Sequence, residues 1–387
     1  MFFDLTEEQK LIRETARDFA RGELEPLAAE LDQGDDRAPF LANLKKLAEL
    51  GFMGLNVREC YGGTEAGVIS FSLAVTEIAR ACASTAVTVS VSNMVCEVIQ
   101  AVGSPEQKEA YIPKICSGEY LAGSFALTEA GAGSDPSGMT TQAVADGDGF
   151  VLNGTKLYIT SAPYAGVFVV WAVTDKSAPK GKGISCFLVE AGTPGLIIGK
   201  EEKKMGQHAS ATNEVIFDNC RVPASALMGK LNDGFRIAVG ELAGGRIGIG
   251  SLGLGVGLAA MEYATRYATE RSQFGQKIGN FQAIQWMIAD SFTELEAARL
   301  LLMNAAFRKE QGRSFGKEAS MAKLFATESA NRACYAALQI LGGYGYTRDF
   351  PLERYARDAR ITTIYEGTSE IQRLIISREI LKNLGER

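Results

Sequence analysis

Apolar residues recur at helical spacing through the first third of the chain. Thr6 followed by Gln9 reads as a capping box, and Leu11, Thr15 and Phe19 then recur along one helix. Leu41, Leu44 and Leu47 repeat the pattern further on. Ser104, Pro105 and Gln107 predict another start, with serine as N-cap and proline at the first helical position. Near Leu121 the texture changes. "VADGDGFVLNGTKLYITSA" has two glycine turns around short β-rich runs, and "VFVVWAVTD", "ISCFLVE" and "ATNEVIFDNC" follow as strands until "NCRVPASALMG" closes the region. From Asn232 the helical period returns. Ile284, Ile288, Ser291, Leu295, Ala298 and Leu302 trace one narrow face, and apolar residues spill beyond it, as in a helix buried on several sides or in a subunit interface. Gly342 and Gly343 end the helix of "ACYAALQILGGYGY". The pattern predicts a mainly α protein with a central antiparallel β-domain: helices over 1–120, β-domain over 121–230, helices over 231–387.

This order is not the βαβ alternation of a Rossmann fold. One glycine motif nevertheless matches it literally: Gly248, Gly250 and Gly253 read GxGxxG. A dinucleotide site requires a strand before the motif, and "GFRIAVGELAGGRI" has helical periodicity instead. The glycines continue at 255 and 257, so the segment reads as a helix with small residues on its faces. Such a helix permits close packing or close approach of a ligand.

Composition narrows the function. The 387 residues are 46% hydrophobic and 22% charged, as in an ordinary globular protein long enough for two or three compact units. A net charge of −6 argues against a nucleic-acid binder. The N-terminus lacks a basic, apolar leader, and no run is expected to span a membrane, which needs about 20 apolar residues. Seven scattered cysteines without CxxC read as free thiols in a reducing compartment. His208 is the only histidine, which argues against metal sites and Ser-His-Asp triads. Acid–base work then falls to carboxylates.

"YEGTSE" at 365–370 is the informative stretch. Thr368 or Ser369 suits a helix N-cap with Glu370 in the first turn. Glu366 also suits a proton-abstracting base.

Four segments together resemble the acyl-CoA dehydrogenase family: "FALTEAGAGSD" (125–135), "YITSA" (158–162), "RSQFGQKIGNFQ" (271–282) and "QILGGYGY…YEGTSEIQR" (339–373). The resemblance covers essentially the whole chain. It implies a helical domain, a β-barrel and a C-terminal four-helix bundle, with FAD as cofactor. It implies that Phe125, Leu127, Thr128 and Gly133 border the flavin, and that Ser134 bonds a phosphate or pantetheine oxygen of cofactor or substrate. Gly131 and Gly133 remove side chains where a ligand comes close. Tyr158, Ile159 and Thr160 resemble the flavin-flanking strand, with Tyr158 where the family usually has tryptophan. Arg271, Gln273, Phe274 and Gln282 resemble the segment that grips the pyrophosphate of FAD from a neighbouring subunit. Gln339, Gly342 and Gly343 resemble the loop completing that cleft, and Thr368 and Glu370 resemble further FAD contacts. A cofactor shared between chains implies a homotetramer built from dimers.

By the same resemblance Glu366 abstracts the α-proton of an acyl-CoA thioester while the β-hydrogen leaves as hydride to flavin N5. The developing enolate is held by the amide N–H of Glu366 and a flavin ribityl hydroxyl. A dry cleft beside Tyr365 and Gly367 should raise the carboxyl into a working range. Some members carry the base immediately before an arginine on the helix of "ELAGGRIGIG". Here Gly245 stands there, before Arg246, and Glu241 one turn earlier is the competing base. Arg246 is expected to orient the base loop or meet the CoA, or else to sit in a buried ion pair.

Gly245, Gly248, Leu252 and Gly255 share a helical face, so Leu252 is expected to shorten the acyl pocket. Val87, Ser90, Val91 and Met94 are candidates for the other wall. A short, branched or alicyclic acyl group is expected. Residues 81–107 contain no Lys or Arg, and Thr85 aligns where the glutaryl-CoA branch has its arginine, which disfavours a distal carboxylate. His208 stands where relatives usually have arginine, and a structural role is expected. The resemblance implies electron-transferring flavoprotein as the electron acceptor, in a cytoplasmic or matrix-type compartment. An oxidase or flavin monooxygenase on the same fold, and a silent acyl-CoA-binding scaffold, are the alternatives.

Overall fold

The computed structural model describes residues 4–33 and 36–385. Before the sheet come α1 (Glu7–Phe19), α2 (Ala28–Gln33), α3 (Ala38–Glu49), α4 (Gly67–Ala81), α5 (Ala83–Val102) and α6 (Pro105–Cys116). The capping box at Thr6 and the N-cap at Ser104 both form: Gln9 N–H donates to Thr6 Oγ1 and Gln107 N–H to Ser104 Oγ, each at 3.2 Å. Leu44 and Leu47 are fully buried. Leu11, in contrast, is 64% exposed, because the buried positions of α1 are Ala16 and Phe19.

The strands are β1 (Ala122–Ala126), β2 (Gln142–Asp146), β3 (Gly149–Thr160), β4 (Ala165–Val173), β5 (Ile184–Glu190), β6 (Leu196–Glu201), β7 (Thr212–Pro223) and β8 (Leu227–Met228). They form one sheet in the order β6-β7-β3-β2-β4-β5-β8, with β1 pairing β4. The sheet is mixed rather than wholly antiparallel, since β1 and β2 both run parallel to β4. Neither end of the order pairs with the other, so no closed barrel forms among the described residues. The second of the two expected glycine turns, at Asn153-Gly154, does not form. Gly154 lies inside β3 at a register shift, where a Cβ would come 2.6 Å from Thr141 Cα.

After the sheet come α7 (Gly234–Glu270), the hairpin β9 (Ser272–Gln273) and β10 (Gln276–Lys277), α8 (Gln282–Glu310), α9 (Gly316–Leu341), α10 (Gly343–Tyr346), α11 (Leu352–Arg360) and α12 (Ser369–Gly385). On α8 the face predicted from Ser291, Leu295, Ala298 and Leu302 is buried, while Ile284 and Ile288 are partly buried and Trp286 is exposed. The GxGxxG segment lies within α7, and its glycines are contact points between helices. A Cβ at Gly250 would come 2.7 Å from Leu302 Cδ2, one at Gly255 2.2 Å from the Thr76 carbonyl, and one at Gly257 2.8 Å from Leu295 Cδ2. By length and composition α5 and α7 could each cross a membrane, contrary to the sequence expectation, but 78% of each apolar window is buried within the protein. Their hydrophobicity serves packing.

Candidate active site

The site forms where α5, α7 and α9 meet the turn between α11 and α12. Glu366 and Gly367 both take left-handed backbone, with φ of 50° and 94°. For glutamate this costs about 1–3 kcal/mol and persists only where the surroundings enforce it. Lys323 Nζ and Gln372 Nε2 both donate to the Gly367 carbonyl, at 2.8 and 2.9 Å. Capping goes to the neighbours. Ile371 N–H donates to Thr368 Oγ1 at 3.3 Å, and Ser369 Oγ donates to Glu328 at 2.6 Å. Thr368 therefore takes the capping role in "YEGTSE", and the Glu366 carboxyl is left out of it.

Glu366 is partly exposed as a residue, but its Oε2 is enclosed and has no hydrogen-bond partner among the described residues. Burial raises its carboxyl to about 7, against the opposing pull of the Lys323 and Arg246 charges. A carboxyl titrating there suits proton abstraction near neutral pH. Lys323, itself lowered to about 8 by burial, and Arg246, also lowered by burial, supply positive charge beside it. Arg246 makes no ion pair among the described residues; its Nη1 reaches Ser320 Oγ at 3.4 Å, and it faces the Glu366 charge at longer range.

A Cβ at Gly245 would lie 2.4 Å from Glu366 Oε2 and 2.8 Å from Met94 Sδ. The Glu366 carboxyl thus fills the space where a side chain at 245 would start. Glu241 reaches a different group, Glu97 and Lys309 near Gly244. Gly245→Ala is expected to push the carboxyl aside and slow substrate-dependent flavin bleaching about 10²-fold without loss of flavin, measured by stopped-flow absorbance. One turn on, a Cβ at Gly248 would meet Ser90 Oγ at 2.2 Å and Phe71 Cζ at 3.2 Å. Ser90 and Met94 of α5 therefore face Gly248 and Gly245 of α7, with Val87, Val91 and Leu252 buried. Ser90 Oγ and Thr85 Oγ1 are buried without partners among the described residues.

The flavin-facing residues predicted from the sheet come together. Leu157 N–H donates to the Thr128 carbonyl at 2.9 Å and Ser124 Oγ to the Thr160 carbonyl at 2.7 Å, which joins the end of β1 to the end of β3. Ile159 is buried, whereas Tyr158 is 62% exposed with φ 59°. Gly131 and Gly133 face open space, and Ser134 is exposed at the lip. An exposed aromatic and an open glycine loop, joined through the Leu157–Thr128 backbone bond, suit a flat heteroaromatic ring such as a flavin. Phe125 packs its ring on Trp171, centroids 4.3 Å apart, and remains partly exposed.

A second set lies on the C-terminal helices. Arg271 stands over the Tyr344 ring at 5.8 Å, bringing the β9–β10 hairpin with Gln273 and Phe274 beside the end of α9 with Gln339, Gly342 and Gly343. Phe274 is 93% exposed, and Gln282 begins α8. Glu370 is exposed on the first turn of α12. Exposed arginine, amide and aromatic groups suit a phosphate-bearing ligand.

Several contributors escaped sequence reading. Lys323 and Gln372 were not foreseen, although a lone lysine in the Ala-rich run of α9 was a usable signal. Gln207 Nε2 donates to Tyr365 Oη at 3.2 Å and anchors the residue before Glu366. His208, next to it, has the structural role expected: Nδ1 lies 2.6 Å from the Asp32 carbonyl and Nε2 2.8 Å from that of Lys204. Asp32 also pairs with Arg357, so the β6–β7 loop is tied to helices from both ends of the chain. Glu129, within "LTEAGAGSD", forms a buried pair with Lys156 at 2.8 Å and accepts from Thr140 and Thr141. That pair pins the glycine loop. Beyond the loop lies a cleft of about 330 Å³ lined by Ser137, Thr140, Lys176 and Lys180 among others. Gly181, also in its wall, lies 3.5 Å (as a built Cβ) from Phe235 at the start of α7.

Comparison with known proteins agrees with this geometry. Residues 6–119, 124–220 and 232–381 match the N-terminal, middle and C-terminal domain models of acyl-CoA dehydrogenase. The chain is 46% identical to the acryloyl-CoA reductase (NADH) of Anaerotignum propionicum, covering 99% of this chain and 96% of the relative. It is 47% identical to the mitochondrial short-chain specific acyl-CoA dehydrogenase of Bos taurus, covering 98% and 92%. Butyryl-CoA dehydrogenase from Megasphaera elsdenii superposes with a TM-score of 0.95 at 39% identity, covering 98% of this chain and all of the other. The chain belongs to the acyl-CoA dehydrogenase family, FAD-dependent oxidoreductases acting on CH–CH bonds.

Proposed function

We propose that this protein dehydrogenates a short, branched or alicyclic acyl-CoA to the 2-enoyl-CoA, with Glu366 as the base. The observation carrying this reading is the unpartnered Glu366 Oε2 against Gly245, beside two cations and titrating near 7. FAD, when bound, supplies a hydride acceptor for the β-hydrogen. Leu127, Thr128, Tyr158, Ile159 and Thr160 would hold its ring, and Arg271, Gln273, Phe274, Gln282, Gln339, Gly342, Gly343, Thr368 and Glu370 its remainder, shared between subunits of a homotetramer. Glu366 takes the α-proton onto Oε2. Its backbone N–H, aimed by the left-handed turn that Lys323 and Gln372 hold, donates to the thioester oxygen as enolate charge develops. Lys323 and Arg246 keep the carboxyl ionised enough to accept the proton.

The acyl wall supports a compact group. Ser90 and Phe71 close against Gly248, one turn from the reacting carbon, and Leu252 lies buried beyond. Without a Lys or Arg over 81–107, no cation from that stretch is available to a second carboxylate. The cleft at Lys176 and Lys180 suits the phosphates of CoA. Electrons then pass to an electron-transferring flavoprotein, named in the Acidaminococcus fermentans structure that this fold matches with a TM-score of 0.96. Seven free thiols, six of them buried, suit a reducing cytoplasm or matrix.

The test is anaerobic titration of the holoenzyme with butyryl-, isobutyryl-, isovaleryl-, glutaryl-, cyclohexanecarbonyl- and octanoyl-CoA, followed by loss of the flavin's visible band. One of the compact neutral acyl groups should bleach it fastest. Fastest bleaching by octanoyl- or glutaryl-CoA would refute the pocket reading. Rapid peroxide formation on admitting air would favour an oxidase.

A further inference from the structure

A second enclosed carboxyl has no part in the chemistry above. Glu241 lies on α7 one turn before Gly245, on the same side of the helix and about 6 Å along its axis. Its Oε1 is buried without a hydrogen-bond partner among the described residues. Glu97 of α5 and Lys309 of α8 stand beside it. Lys309 is ion-paired with Glu97, and Asn56 Nδ2 donates to Glu97 Oε1 at 2.6 Å. A Cβ at Gly244 would lie 2.8 Å from Lys309 Nζ and 3.7 Å from Glu241 Oε1.

The one ammonium already serves Glu97, so Glu241 has no cation of its own. Burial, with the charges of Glu97 and Glu366 and against that of Lys309, raises Glu241 to about 8. It therefore holds a proton at neutral pH. A neutral carboxyl presents one O–H donor beside one carbonyl acceptor, the complement of an amide's carbonyl and N–H.

The path of the substrate places such an amide there, granted the acyl-CoA reading above. The reacting carbon must lie against Glu366 Oε2 and Gly245. The lysine-bearing cleft adjoins Phe235, ten residues earlier on the same helix and about 15 Å away. An arm joining the two along α7 passes Glu241. In a CoA thioester the amide nearest the sulfur is about 6 Å from the α-carbon by bond lengths, which matches one helical turn. The other ionisable residue in this stretch, Arg236, is exposed and paired with Asp233.

We propose that Glu241 is a substrate-binding residue whose protonated carboxyl pairs with the amide nearest the sulfur in the thioester arm. The test uses Glu366→Gln holoenzyme, which binds without turnover, with Glu241 intact, as Gln or as Leu. Calorimetry measures the affinity of three butyryl thioesters: of CoA, of N-acetylcysteamine, which keeps that amide, and of propanethiol, which lacks it. Glu241→Leu should weaken the first two about tenfold, one hydrogen bond's worth, and leave the third unchanged. Glu241→Gln should stay within about twofold of its parent. Equal loss across all three ligands, or no loss for any, would overturn the assignment. Should Glu241→Leu not fold, the parent itself decides. As Glu241 ionises with rising pH, affinity for the two amide-bearing thioesters should fall, with no such fall in Glu241→Gln; a flat profile overturns the proposal. A parent that binds none of the thioesters refutes the acyl-CoA reading instead.

Discussion

Replacing Glu366 by glutamine is expected to slow substrate bleaching of the flavin by about 10²–10⁴-fold, the range for loss of a positioned general base. Glutamine has nearly the same shape, and Oε2 has no hydrogen bond among the described residues for the change to break. Flavin content and thioester affinity should therefore survive, which separates lost chemistry from lost structure. The pH dependence follows from the same carboxyl. Burial raises Glu366 from an ordinary 4.5 to about 7, so the protonated form, which cannot accept the α-proton, dominates below that value. Bleaching by wild type should rise with pH through about 7 and level off above it. Removing the charge at Lys323 should move that limb upward, because an adjacent cation favours the ionised carboxyl. If Glu366→Gln bleaches as fast as wild type, the base is elsewhere, and Glu241 is the first place to look.

The second large effect is on stability. Lys156 is fully buried and Glu129 nearly so, and Lys156 Nζ also donates to the Leu127 carbonyl at 3.1 Å. Burial opposes the charge on Glu129, but the Lys156 ammonium and hydrogen bonds from Thr140 and Thr141 prevail and lower its carboxyl to about 2. Lys156→Met should leave that carboxylate enclosed without its cation, at a cost of about 3–5 kcal/mol. Thermal denaturation of the holoenzyme should show a much lower midpoint, and Glu129→Gln combined with Lys156→Met should recover part of it. The sign with pH is fixed. A carboxyl lowered from 4.5 to about 2 contributes fully above 4.5, and its contribution is lost as pH falls towards 2. The gap between wild type and Lys156→Met should accordingly narrow in acid. A Lys156→Met midpoint equal to that of wild type would mean the glycine loop does not depend on the pair.

Legibility in the sequence followed the range of the forces involved. Thr6 with Gln9 and Ser104 with Gln107 are contacts over three residues, and both formed as read. The buried positions of α8 follow from helical period alone, and the GxGxxG segment was read as a packing helix because no strand period precedes it. Glu366 stood out as the candidate base because "YEGTSE" belongs with other short segments to one family resemblance.

Tertiary structure decided the rest. Which face of α1 is buried, and so that Leu11 lies outside, depends on where other helices pack against it. Asn153-Gly154 looked like a turn because local composition cannot register that Thr141 presses on Gly154 from a neighbouring strand. The parallel pairing of β1 and β2 with β4, and the open sheet, come from long-range register. Lys323 reaches the Gly367 carbonyl from 44 positions away, and Lys309 reaches Glu97 from 212. By itself the sequence determined the elements and their caps and singled out a candidate base, because these rest on short stretches of neighbours along the chain. Only the folded chain decided how that base is held, charged and enclosed, because desolvation and Coulomb forces act between residues that packing alone brings together.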